Sequence, residues 1–156
     1  NKCMIKNIYE SICDMIWGPV PQPEDTRFYY LCLLKNEVYD ENEYSIHGLW
    51  PQNSKTDFPS YCKKVTFSVD KLVPILQDLN KFWYSDREKN VDFWKHEYSK
   101  HGSCVFTKMN EYQYFKKALD LYQQAIKLNL PEKYIDPDSF NILIPVNLDF
   151  EFYEQL

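Results

Sequence analysis

Apolar side chains recur along this chain with three spacings, and each predicts a different element. From Arg27 to Lys35 the run Phe28-Tyr29-Tyr30-Leu31-Cys32-Leu33-Leu34 is uninterrupted and of strand length, which predicts a central strand buried on both faces. Asn36 to Glu43 is polar and reads as a turn, and Tyr44 to Leu49 predicts a second strand broken by Pro51. Gln52 to Phe67 is polar and interrupted, a loop whose aromatic part is Phe58-Pro59-Ser60-Tyr61-Cys62. Helical spacing follows: behind Asp70 as N-cap, Leu72, Ile75, Leu76, Leu79 and Trp83 share a face, with Pro74 in the first turn where proline is tolerated. After a charged linker, Ser85 to Asn90, Asp92 is expected to cap a short helix that stops at Gly102 in a left-handed conformation. Asn110 with Gln113 has the form of a capping box opening a long helix, with Tyr112, Phe115, Leu119, Tyr122 and Ile126 as its buried stripe. Pro131 to Tyr134 predicts a helical turn, Asp136-Pro137-Asp138 a turn, and Phe140 to Val146 a strand. Near the start, Ile5, Ile8, Ile12, Met15 and Ile16 suggest a further helix before the proline-rich loop Gly18 to Pro23. Helices mixed with a few strands, without repeats, make one α+β domain over residues 1–156.

Composition narrows the class. With 156 residues, 44% hydrophobic and 17% aromatic, the chain can bury a sizeable core and is not of disordered type. No apolar run approaches the roughly 18 residues of a membrane span, so no membrane partner is expected. The formal net charge of −5 is wrong for a nonspecific nucleic-acid coat, but leaves room for an enzyme that grips one or two phosphates with a local cluster. Five cysteines without a C-x-x-C pair favour disulfides over zinc, and the odd number leaves at least one thiol over. The chain begins at Asn1 without Met or a signal-like segment, as a processed or trimmed chain would, and carries no N-x-S/T sequon.

Chemistry concentrates in two places. All three histidines fall in Ser45-Ile46-His47-Gly48-Leu49-Trp50-Pro51 and in Phe93-Trp94-Lys95-His96-Glu97-Tyr98-Ser99-Lys100-His101-Gly102-Ser103-Cys104. At about 100° per residue, a helix sets Phe93, His96, Glu97, Lys100 and His101 on one face, quite unlike a core stripe. His96-Glu97 begins like a zinc H-E-x-x-H, but the next histidine is five residues on, not four, so no metal is expected. Histidines from two elements suit paired acid and base work, and a lysine suits charge developing on phosphoryl oxygens. With the 2′-hydroxyl of RNA as internal nucleophile, no metal or other cofactor is needed. Glu97 can hydrogen-bond a histidine or the phosphoryl group, or simply pair with Lys100 or His101 on a helix surface. Trp50 can stack a base or be buried at a strand end; the residues alone leave both open.

These two segments resemble the ribonuclease T2 family of acid endoribonucleases, whose first active-site segment reads H-G-L-W-P and whose second has the form F-W-x-H-E-[aromatic]-x-K-H-G-x-C; both stand here, at His47 to Pro51 and Phe93 to Cys104. Weaker similarity extends over roughly residues 27 to 146. The resemblance implies an antiparallel sheet flanked by helices, and metal-free cleavage of single-stranded RNA, not DNA, through a 2′,3′-cyclic phosphate to a 3′-phosphate. On that analogy His101 is general base and His47 general acid, His96 helps bind the phosphate, and Glu97 and Lys100 stabilise the pentacovalent transition state. Trp50 would line the first base pocket and Phe93 the second, with Gln52, Phe58 and Tyr61 as further substrate contacts. It also implies a Cys62–Cys104 disulfide, and secretion or a lysosomal or vacuolar site; the missing sequon and odd cysteine count leave an intracellular site open, and Cys13 with Cys32 is a candidate second bridge apart from the resemblance. The family's usual Q-W-P stretch is replaced by Ile16-Trp17-Gly18-Pro19, and its C-terminal strands are absent or shortened after Val146. The alternative is a non-catalytic relative that binds RNA or a protein, though such a module has no need of both His47 and His101.

Overall fold

A computed structural model describes residues 24–36 and 43–153, together with Met15. The suggested N-terminal helix, apart from Met15, lies outside the described residues, as does Cys13. Three antiparallel strands, β1 (Phe28–Asn36), β2 (Glu43–Gln52) and β3 (Asn141–Val146), form a sheet in the order β2-β1-β3. Helices α1 (Leu76–Phe82), α2 (Asn90–Lys100) and α3 (Glu111–Lys127) flank it, the α+β arrangement expected.

β1 is central, as its unbroken apolar run predicts. Tyr29, Leu31 and Leu33 turn to the core beside Val146, Ile144 and Ile142 of β3, their register partners, and all six are buried. β2 departs from simple alternation. Leu31 pairs with Leu49 and Cys32 with Gly48, but Leu33 pairs with Ile46, so His47 is an extra residue in β2. This bulge lets Ile46 and Leu49, three residues apart, both enter the core, where regular alternation would put them on opposite faces. Pro51 does not end the strand: it pairs with Tyr29, and β2 is an edge strand, where a missing N–H on the outer side breaks no ladder.

Side chains of the helices close over β2. Tyr122 Oη donates to the Tyr44 carbonyl at 2.6 Å, Trp83 Nε1 to that of His47 at 3.1 Å and Tyr114 Oη to that of Leu49 at 2.7 Å. These bonds satisfy edge carbonyls inside the protein and fix the strand to α1 and α3.

The helix expected from Asp70 is a 3-10 segment, Val69–Ile75, followed by α1. Pro74 has no N–H to give, and its ring crowds the carbonyl four residues back, so α-helical bonding starts after it. α3 opens on the expected capping box, with Gln113 N donating to Asn110 Oδ1 and Asn110 N to Gln113 Oε1, both at 2.9 Å. Its buried stripe is rotated from the expected one, however: Tyr114, Ala118, Leu121 and Ala125 join Phe115, Leu119 and Tyr122, while Ile126 is exposed. The chain wraps both faces of that arc, and alanines count as apolar only once the partner surface is known. Beyond β3, Phe152 is buried in a bridge to Val146, and Phe150 stacks on Tyr29 with centroids 4.8 Å apart.

Candidate active site

α2 begins at Asn90, two residues before the expected cap, and Asp92 sits in its first turn where a carboxylate favours the positive end of the helix. It ends at Lys100 with His101 as C-cap, and a 3-10 turn, Gly102–Cys104, follows. Gly102 is therefore not a left-handed stop. Its glycine is required by contact: a Cβ there would stand 2.5 Å from Tyr98 Cδ2. Phe93 and Trp94 are buried, and Trp94 Nε1 donates to the Trp83 carbonyl, which ties α2 to α1.

Glu97 is the meeting point. Its side chain is 2% exposed, with Oε1 3.9 Å from His47 Nε2 and Oε2 3.8 Å from His101 Nε2. The helix and the bulge of β2 thus bring two histidines, fifty-four positions apart in the chain, to the two oxygens of one carboxyl. Trp50 lies between them: Nε1 donates to Glu97 Oε1 at 3.0 Å, its ring stacks on His101 at 4.9 Å and 22°, and its edge meets His47 at 4.9 Å. His47 is oriented from behind by Asn141 on β3, whose Oδ1 accepts from Nδ1 at 2.9 Å, so Nε2 faces Glu97.

Burial sets the electrostatics. It raises Glu97 from 4.5 to about 7, against the opposing N–H of Trp50 and charge of Lys100. It lowers His101 from 6.5 to about 3, helped by the positive charge of Lys100, and lowers His47 below its ordinary value against the pull of Asn141. At 3.8 and 3.9 Å the carboxyl–imidazole contacts are too long for hydrogen bonds. Between about 3 and about 7 Glu97 and His101 are mostly neutral, so their contact is a close approach of uncharged groups and not an ion pair.

Two hollows adjoin here, sharing His47 and His96. The smaller, about 450 Å³, is lined by His101, Trp50, Lys100, Gln52 and Phe58, with Lys55, Thr56, Tyr30 and Leu143 contributing as well. The larger, about 1070 Å³, holds Phe93, Arg87, Tyr84 and Phe140. His96 is exposed between them. Tyr61 is not brought in: its ring is 58% exposed, while its main chain, at φ 49°, donates to the Lys100 carbonyl at 2.9 Å. Cys62 is bonded to Cys104, and Cys62 N donates to Ser103 Oγ, so the loop is sewn to the end of α2. The expected Cys13–Cys32 bridge has one end, Cys13, outside the described residues; Cys32 is a buried free thiol on β1, held protonated by its burial. Among the described residues no cluster of three or more His, Cys, Asp or Glu side chains is arranged to hold a metal.

Residues 4–142 match the model of the ribonuclease T2 family. The chain belongs to that family. Ribonuclease DdI of Dictyostelium discoideum is 36% identical over 112 residues, 70% of this chain and 50% of that protein. Mouse ribonuclease T2-A is 38% identical over 118 residues, 71% of this chain and 44% of its own length. The chain thus spans about half the length of these T2 relatives. Ribonuclease MC1 from bitter gourd seeds superposes with a TM-score of 0.61 at 23% identity, covering 81% of this chain and 92% of that one, which shows the T2 fold.

Asn141, Arg87 and Lys55 were not legible as site residues. Asn141 reads as the first polar position of an apolar strand, and only the β1–β3 register sets it behind His47.

Proposed function

We propose that this T2-family chain is a metal-independent endoribonuclease that cleaves single-stranded RNA by transphosphorylation, giving a 2′,3′-cyclic phosphate and then a 3′-phosphate. The observation that carries the reading is the meeting of His47 and His101, from separate elements, on one buried carboxyl beside an open cleft.

His101, neutral down to about pH 3, takes the proton from the 2′-hydroxyl. The 2′-oxygen attacks phosphorus, the bond to the 5′-oxygen breaks, and His47, protonated through Nε2, supplies the proton to that leaving oxygen. Lys100 and His96 offer positive charge to the non-bridging oxygens, and Glu97, neutral below about 7, donates a hydrogen bond to one of them as charge develops. The smaller hollow, beside His101, takes the nucleoside that bears the 2′-hydroxyl, with Trp50, Gln52 and Phe58 around its base. The larger, on the far side of His47 with Phe93, takes the leaving nucleoside.

The base is free above about 3 and the acid is charged only below its burial-lowered midpoint, so the rate is highest in that acidic window. That window and the Cys62–Cys104 bond suit an acidic, oxidising site, secreted or lysosomal or vacuolar. The test is incubation with single-stranded RNA in excess chelator across pH 4 to 8, with mass analysis of the ends. Cyclic phosphate ends are expected, and both His47→Ala and His101→Ala should lose at least about 10²-fold in rate with unchanged circular dichroism. Linear 5′-phosphate ends, cutting of DNA, or near wild-type turnover in either variant would overturn the reading.

A further inference from the structure

The two oxygens of Glu97 have unlike surroundings. Trp50 Nε1–H donates to Oε1, whereas Oε2 lies beside His101 Nε2. An oxygen that accepts an N–H bond is a poorer place for the acid's own proton, so the neutral carboxyl keeps that proton on the other oxygen. We propose that Trp50 is a positioning residue for the cleavage step: its indole N–H occupies Oε1 of Glu97 and so holds the acidic proton on Oε2, next to the general base.

The assignment rests on the ribonuclease reading and deepens it, since it gives Trp50 a task other than stacking a base. Three further features support it. The indole is fixed in place, stacked on His101 and edge-on to His47, so its N–H has one direction. Gly48 leaves the space: a Cβ there would stand 2.3 Å from Trp50 Nε1 and 2.5 Å from Glu97 Oε1. A side chain on β2 at that point would have to break the contact. Among the described residues, Trp50 also gives the carboxyl its hydrogen bond, and its N–H is the largest influence opposing burial. The other groups that face Glu97 are His47 from β2, Lys100 and His101 at the end of its own helix, Cys32 from β1, Tyr114 from α3 and Glu88 from the segment before α2.

Trp50→Phe keeps a ring on His101 and removes the N–H; Gly48→Ala leaves both functional groups and crowds them apart. The folded variants are titrated by NMR with carboxyl-¹³C glutamate, and kcat and KM are measured on a dinucleotide. The expected result in both is a rise of the Glu97 midpoint from about 7 by roughly half to one pH unit, from the loss of one hydrogen bond worth about 1 kcal/mol. With it comes a fall in kcat of about 5- to 10-fold, with KM in Trp50→Phe held within about twofold. An unmoved midpoint in Trp50→Phe, or a loss confined to KM, would overturn the assignment and leave Trp50 a base platform. If Gly48→Ala does not fold, Trp50→Phe decides alone. The titration needs no substrate, so a wild-type protein that failed to cut RNA would defeat the ribonuclease reading while the midpoint still reported what Trp50 does to Glu97.

Discussion

Glu97 and His101 share one buried pocket yet load the protein's stability in opposite directions with pH. Between 4.5 and about 7 the folded state holds a proton on Glu97 that the unfolded chain has released, so stability falls as pH rises through that window. Between about 3 and 6.5 the unfolded chain protonates a histidine that the folded state keeps neutral, so stability falls as pH drops. The slopes oppose each other from 4.5 to 6.5, and the pair leaves a plateau there with losses on either side. Glu97→Gln cannot ionise and lacks the alkaline loss. Urea unfolding at pH 5 and pH 8 should show the variant gaining stability relative to wild type at the higher pH; an equal difference at both would mean that the carboxyl is not held neutral by burial.

At the scale of elements, the site depends on a bulge and a staple. The extra residue in β2 is His47, and the Trp83 indole, donating to the His47 carbonyl at 3.1 Å, holds the bulge against α1. Trp83→Phe keeps most of the apolar bulk but leaves that carbonyl without its donor, at an expected cost of about 1–3 kcal/mol. Activity should fall further than stability alone explains, which kcat measured well below the melting temperature checks. Cys62–Cys104 closes a loop with a sequence separation of 42. Replacing both by serine is expected to cost about 4 kcal/mol from chain entropy, read as a fall in the urea midpoint. Since the segment that leads into Cys62 carries Phe58 to the cleft, KM should rise as well.

For the whole molecule, a net charge of −5 must coexist with the polyanionic substrate proposed for it. Positive groups at the hollows are few: Lys55, Lys100 and His96 on one side, Lys35 and Arg87 on the other. Acidic residues such as Asp86, Glu88, Asp136 and Asp138 line the larger hollow as well. Affinity must therefore come mainly from the groups around one or two phosphates and from stacking. A plot of log kcat/KM for RNA against log salt should have a slope of about −0.7 to −1.4, since single strands give about −0.7 per phosphate neutralised. A slope near −5 or steeper would mean a long basic track that this surface does not show.

The motifs, the histidine pair, the capping box of α3 and the central place of β1 were legible because each rests on residue type and local spacing, which a linear chain records; the Cys62–Cys104 staple was expected only through the family resemblance. The bulge at His47 was not, because Ile46-His47-Gly48-Leu49 alternates properly only once β1 is alongside to set the register. Pro51 within β2 depended on that strand being an edge, and Gly102 on the ring of Tyr98 beside it. Asn141 behind His47, the unpaired Cys32 and the exposed Tyr61 were settled by which side chains other elements bring close. The amino-acid order thus decided which chemical groups the protein owns and most of its helices and strands. Their proton states and partners belong to the folded protein, because desolvation and contact arise between segments distant in the chain.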